Sequence, residues 1–295
     1  MLTFPDISPE IFSISIGGFE LALRWYAVAY ILGFIFAIIL MKLFVRNNKL
    51  WMHHSPPMSE DQIDSLFSYL VLGVILGGRI GYVVFYNFDH YVANPADIVR
   101  VWDGGMAFHG GFMGVVLAVF MFCRLNGLPL WSVADLIALA TPPGLFLGRV
   151  SNFINAELWG RPTNVPWGVV FPGNRAQNCE GIIGLCARHP TQLYEAVLEG
   201  FVLFIFLIVL TLLGSLKKPG LIAGVFFTGY GLSRFWVEFY RVPDPQFFSD
   251  TNQDGFAYQL AHTGVTMGQA LSIPMVLFGT IIVFFAFFKR RGKKL

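Results

Sequence analysis

Seven runs of about twenty mostly apolar residues run through this chain, and no other feature narrows its possible folds as much. They lie near 22–45, 64–86, 105–124, 131–150, 191–214, 220–240 and 268–288. A helix needs about 20 such residues to cross the ~30 Å hydrocarbon core of a bilayer, and it satisfies its own backbone polar groups there. The runs are continuous rather than alternating, which argues against a β-barrel. Composition agrees: 55% of the 295 residues are hydrophobic and 13% are charged, where a soluble domain carries about 25% charge. The expected fold is therefore an all-α polytopic membrane protein with seven transmembrane helices, a single transmembrane domain over 1–295. A net charge of +2 points to no nucleic acid or other polyanionic partner. Asp6, Glu10 and Glu20 precede the first run in place of a basic segment, so a cleaved signal peptide is not expected.

Orientation follows from the basic residues. Every Lys falls in alternate loops: Lys42 and Lys49, then Lys217 and Lys218, then Lys289, Lys293 and Lys294. Arg46, Arg124, Arg290 and Arg291 join them, so eleven basic residues share one side. The other side holds only Arg24, Arg100, Arg161, Arg175, Arg188 and Arg241. The N-terminus is expected outside and the C-terminus in the cytoplasm. The long connections, near 87–104, 151–190 and 241–267, then fall outside, so the working face is expected there. Segment 151–190, between spans four and five, reads as an outer-face loop or head. It carries Cys179 and Cys186. An oxidising compartment permits a disulfide between them, and spacing alone leaves pairing and free thiols both open.

Ionisable side chains inside spans are costly, and each is a candidate for function or for pairing. Arg149 and Asn152, one helical turn apart, begin the polar stretch from Gly148 to Arg161. A guanidinium is a fixed fork of donors that suits a phosphate, and an Asn can orient a phosphate or glycerol oxygen. The plainer alternative is an Arg that satisfies its helix end or pairs with Glu157. Tyr230, Arg234, Glu238 and Arg241 share one helical face, where Arg234–Glu238 is also a plausible structural i,i+4 pair. His109 sits between two Gly-Gly pairs at the mouth of a span, and His is the usual proton carrier near neutral pH. Gln192, Glu195 and Glu199 share a face after Pro190-Thr191, a helix start. They read as structural partners for the arginines. Arg79, among Gly77, Gly78 and Gly81, is a charge that needs a partner. Asp135 reads as a helix N-terminal acid, and Trp25-Tyr26 as part of an aromatic belt. No metal-ligand spacing, phosphate-binding loop or dinucleotide motif is evident, so neither metal nor cofactor is expected.

Arginines in the outer half of a bilayer suggest an anionic lipid headgroup. A transporter or flippase for such a lipid would use them too, although no internal repeat supports it. A passive scaffold would leave the buried charges without purpose.

The motifs decide among these. Gly148-Arg149-x-Ser151-Asn152-Phe153-Ile154-Asn155-x-Glu157-x-x-Gly160 resembles the signature of the bacterial prolipoprotein diacylglyceryl transferase family. Trp102-Asp103-Gly104-Gly105 with His109-Gly110-Gly111, Arg188-His189-Pro190-x-Gln192-Leu193-Tyr194-Glu195, and Tyr230-Gly231-x-x-Arg234 follow in the family's order. The resemblance runs from Trp25-Tyr26 to the last span. Ser151 departs from it, where the family usually has Gly or Ala. The resemblance implies an inner-membrane enzyme with an outer-facing active site. Its partners would be phosphatidylglycerol and a prolipoprotein signal peptide with a lipobox cysteine. The diacylglyceryl group moves to the cysteine thiol and glycerol-1-phosphate is released. By the same resemblance Tyr26, His109, Arg149, Asn152, Gly160 and Arg234 match essential positions. Asp135, Glu157, Glu238 and Arg241 match important ones. Chemistry then suggests Arg149 and Arg234 on the phosphate, Asn152 and Tyr26 orienting the headgroup, and His109 deprotonating the thiol. The rival needs no base, since an arginine field can itself favour the thiolate.

Overall fold

The apolar runs fold as helices in a computed structural model: α1 (Trp25–Arg46), α2 (Glu60–Phe85), α3 (Phe108–Leu125), α4 (Leu130–Ala140), α5 (Pro142–Ile154), α6 (Thr191–Leu212), α7 (Leu221–Val237) and α8 (Met267–Phe288). The described residues are 1–288 apart from Gly18, Glu180, Ile183, Asp244, Asp250, Thr251, Gln253, Ala261 and His262. The basic residues expected on one side at 289–294 lie outside them.

Six of these helical stretches are long and apolar enough to cross a membrane, with α4 and α5 together forming one. The seventh, α7, has 17 residues. At 1.5 Å per residue that is about 26 Å, slightly under a hydrocarbon core. The chain is thus an all-α polytopic membrane protein, and the large apolar side chains left exposed along its helices, such as Leu76, Ile80 and Phe284, are suited to lipid.

The fourth span is interrupted where the sequence suggested one continuous helix. Thr141 keeps helical torsions (φ −75°, ψ −43°). Pro142 and Pro143 bring no N–H, so the ladder lapses there and restarts as α5. The Thr141 hydroxyl donates to the Ile137 carbonyl at 2.8 Å. In α6 the stretch Ala196–Val202 winds as a π-helix. Such single wide turns inside α-helices occur frequently at functional sites.

The chain divides into two compact units, Ile38–Leu136 and the remainder. In the first, α2 starts with a capping box between Ser59 and Gln62 and packs on α3 backbone to backbone. A Cβ at Gly73 would sit 2.7 Å from the Gly114 carbonyl oxygen, and one at Gly81 2.7 Å from the Gly110 Cα. Lys42–Asp64 at 2.7 Å and the two-pronged Arg46–Glu60 pair, both contacts 2.7 Å, tie α1 to the start of α2. Asp135 is fully buried in α4 and has a partner. The sequence reading of it as a helix N-terminal acid is corrected: α4 begins at Leu130, so Asp135 lies beyond its first turn.

In the second unit α7 packs along α8, again through glycines. A Cβ at Gly224 would meet the Gly279 carbonyl at 2.9 Å. The polar segment after α5 has a small core of its own, in which Val169, Phe171 and Ala176 pack against Phe4, Phe153, Ala156 and Trp159. Leu2–Thr3 adds a parallel strand beside Val169–Val170, and Cys179 and Cys186 are joined in a disulfide. Glu10–Ile16 and Phe19–Arg24 pair as an antiparallel hairpin leading into α1.

Candidate active site

Arg149 and Asn152 stand on the last two turns of α5. Ser151, between them, donates to the Leu147 carbonyl at 3.0 Å and reaches the Trp25 carbonyl at 3.4 Å. The departure at this position thus adds a tie to the start of α1. Beyond α5 the chain turns sharply. Ala156 and Leu158 take left-handed torsions (φ 51° and 57°), a conformation that costs a non-glycine residue about 1–3 kcal/mol and needs outside support. The first turn of α6 supplies that support. The Gln192 amide donates to the Glu157 carbonyl, and the Thr191 hydroxyl to the Leu158 carbonyl at 2.9 Å. The Glu157 carboxylate accepts from Asn152 at 2.8 Å, and the Asn152 amide also reaches the Tyr26 hydroxyl at 3.5 Å. Glu157 is therefore the partner of Asn152, and the sequence alternative of an Arg149–Glu157 pair does not form.

Gly160 is buried where three segments meet. Its N–H donates to the His189 carbonyl at 2.8 Å, and Arg161 N–H to the Tyr240 carbonyl at 2.8 Å. A Cβ at Gly160 would collide with that same Tyr240 carbonyl and lie 2.7 Å from Thr191, so only glycine fits. Arg188, also buried, donates to the carbonyls of Ala176 (2.6 Å) and Asn178 (3.0 Å) and lies 4.1 Å over the Trp159 ring. Burial pushes the His189 imidazole below its ordinary pKa.

The arginines converge on Glu195, which has no exposed surface. Arg149 reaches it at 3.1 Å from α5, Arg241 at 3.1 Å from the turn after α7, and Arg234 contacts it from α7. Glu199, in the π turn, lies 3.6 Å from Arg149. Glu238 pairs with Arg234 at 3.1 Å and lies 3.5 Å from Arg241. The expected Arg234–Glu238 pair exists, as one edge of a network of three arginines and three glutamates. Formal charges cancel across it, as buried charge requires. Arg149, with 20% of its side chain exposed, is the most open of the three arginines.

Glu238 is held from behind by a residue the sequence reading missed. Gly268 lies in the first turn of α8, and a Cβ there would overlap the Glu238 carboxylate, 2.5 and 2.6 Å from its oxygens. The carboxylate thus abuts a helix N-terminus, where the aligned peptide dipoles favour a negative charge. Thr266 and Gln269 close that end as a reciprocal cap. The Thr266-x-x-Gln269 spacing was the available signal.

Of the residues singled out from sequence, Tyr26, Arg149, Asn152, Glu157, Gly160, Arg234, Glu238 and Arg241 all belong to this unit. Tyr26 is half-buried and Glu157 exposed. His109 belongs to the Ile38–Leu136 unit, exposed on the first turn of α3 beside the Phe108 ring. Among the described residues no group of His, Cys, Asp and Glu has metal-site geometry.

Comparison with known proteins gives concordant matches. Residues 10–285 match the family model described as prolipoprotein diacylglyceryl transferase. A phosphatidylglycerol–prolipoprotein diacylglyceryl transferase of Cereibacter sphaeroides is 56% identical over 279 residues, 94% of this chain and 95% of its own. One from Ruegeria pomeroyi is 55% identical, covering 95% of both chains. One from Brucella anthropi is 48% identical over 94% of this chain and 91% of its own.

Proposed function

The chain belongs to the prolipoprotein diacylglyceryl transferase family, and from that premise we propose how its residues carry out the reaction. It is a membrane enzyme of the first step of lipoprotein maturation, a transferase of the diacylglyceryl group of phosphatidylglycerol. The acceptor is the thiol of a lipobox cysteine in a prolipoprotein signal peptide. The cysteine sulfur attacks the glyceryl carbon that carries the phosphate. An S–C bond forms, the C–O bond to phosphate breaks, and glycerol-1-phosphate departs with the electron pair.

The convergence of Arg149, Arg234 and Arg241 on Glu195 is the observation that carries this assignment. Charge grows on the phosphate as the C–O bond breaks. Guanidinium groups already fixed by buried carboxylates stabilise it without reorganising, in a site where water screens little. Arg149, the most open, takes the phosphate with its fork of donors, and Arg234 and Arg241 supply the field behind it. Asn152 and Tyr26, in line with Glu157, orient the glycerol end of the headgroup. Gly160 and Glu238 keep the surrounding backbone and arginines in register.

His109 accepts the thiol proton. Its exposed place on the first turn of α3 leaves the ring open to a substrate. The site faces the outer side of the cytoplasmic membrane, with 151–190 as its outer head. The placement of Lys42, Lys49, Lys217 and Lys218 in alternate connections supports that orientation.

The test is transfer from phosphatidylglycerol to a lipobox peptide in detergent. Arg149→Lys keeps the charge and loses the fork, and turnover should fall on the order of 100-fold, as for a lost oxyanion donor. Wild-type lipid affinity and turnover in that variant rule out two-pronged phosphate binding. For His109→Gln, a nearly normal rate with an unchanged low-pH limb means that the arginine field alone activates the thiol.

A further inference from the structure

We propose that Arg79 is a positioning residue for the transfer reaction, holding the 95–107 segment so that His109 is presented in one place. The proposal rests on the role assigned above to His109. Arg79 lies near the C-terminal end of α2 and is 5% exposed. The sequence reading expected it to need a partner. Among the described residues its hydrogen bonds all go to backbone carbonyls. Nε donates to Ile98 at 2.8 Å, Nη1 to Gly104 at 2.5 Å and Gly105 at 3.2 Å, and Nη2 to Asp97 at 2.6 Å and Arg100 at 3.0 Å. The Asp97 carboxylate is turned the other way, toward His90 and Arg100, both at 3.1 Å. The Tyr91 ring closes the other side, 5.1 Å from the guanidinium carbon.

Those five carbonyls belong to a segment with little regular structure to satisfy them, two short 3-10 turns followed by two positive-φ glycines. A planar cation with five donors gathers them around one point. The gathered segment runs directly into α3. Gly105 is four residues before His109, and the Ala107 N–H donates to the carbonyl of Gly78, the neighbour of Arg79, at 2.9 Å. The residues that fix His109 therefore start from one turn of α2. Replacing the guanidinium with an ammonium loses the planar fork and leaves carbonyls unpaired. His109 would then occupy a range of positions, and misplacement by about 1 Å can cost about 100-fold in rate.

The experiment compares the full chain in detergent with Arg79→Lys, Arg79→Ala and Arg79→Ala plus methylguanidinium. Each is measured with His109 present and again in the His109→Gln background, on its residual rate. The expected result is a kcat lowered about 10- to 100-fold with KM for phosphatidylglycerol unchanged. Methylguanidinium should restore Arg79→Ala, and changes at 79 should move the His109→Gln residual rate less than about twofold, as for residues acting as one unit. Arg79→Lys carries the test if Arg79→Ala does not fold. A wild-type rate for Arg79→Lys, a raised KM with kcat intact, or the same loss without His109 each overturn the proposal. A normal rate for His109→Gln alone, with Arg79 intact, removes the base assignment instead and the proposal with it.

Discussion

Gly268→Ala isolates how the arginine network is held. A methyl at this position would stand 2.5 and 2.6 Å from the two oxygens of Glu238. Ordinary contact between such atoms is about 3.5 Å, so the carboxylate must withdraw by roughly 1 Å. The helix start at Gly268 is held by the reciprocal cap between Thr266 and Gln269. Withdrawal draws Glu238 off Arg234 and Arg241, now at 3.1 and 3.5 Å. Overpacking of this kind costs about 1–3 kcal/mol of stability. The effect on turnover should be larger, about 100-fold, if displaced arginines misalign the phosphate by a comparable distance. The same steric reasoning names its own remedy. Glu238→Asp shortens the side chain by one methylene, about 1.5 Å, and vacates the space the methyl needs. The single Asp variant should be impaired, and the double variant more active than Gly268→Ala alone. Transfer to a lipobox peptide and melting in detergent are the assays. Wild-type turnover in Gly268→Ala, or a double variant in which the two losses simply add, refutes the reasoning.

Two other outcomes follow from the segment after α5. The Cys179–Cys186 bond closes a loop with a sequence separation of 7; replacing both by Ser should cost about 2–3 kcal/mol by loop entropy, seen as a lower melting temperature with the reductant-dependence of the native protein gone. The half-buried His189 has a depressed pKa, so the folded state favours its neutral form. Its unfolded counterpart takes a proton near pH 6.5. Its contribution is therefore full above about pH 6.5 and is lost as pH falls toward the folded pKa, and the melting temperature of the native chain should fall more steeply with acidification in that window than that of His189→Asn.

Much of the framework was legible because spans are set by composition over about twenty residues. The expected 22–45 appears as Trp25–Arg46, and 268–288 as Met267–Phe288. The break at Thr141 was missed because the run stays apolar through Pro142-Pro143, although two prolines in a span were the visible warning. The arginines of the network were legible as charges where charge is costly. Glu195 and Glu199 were legible as partners for them. The convergence was not, since nothing local says that three arginines from separate elements will meet on Glu195. Arg79 was legible as a charge that needs a partner, but not which partner, since backbone carbonyls carry no sequence mark. Gly268 was silent because a steric requirement at one residue depends on a side chain thirty positions earlier.

The contact between α2 and α3 has a mechanical consequence. Gly73, Gly77 and Gly81 face Gly110 and Gly114 so closely that each backbone occupies the hollow of the other. Sliding by one residue would drive a side chain into a carbonyl, and rotation would do the same. The two helices are keyed like a shaft in its slot, with no lubricating layer of side chains between them. Any stroke that carries His109 during turnover must then move both helices together as one rod, pivoting at their connections.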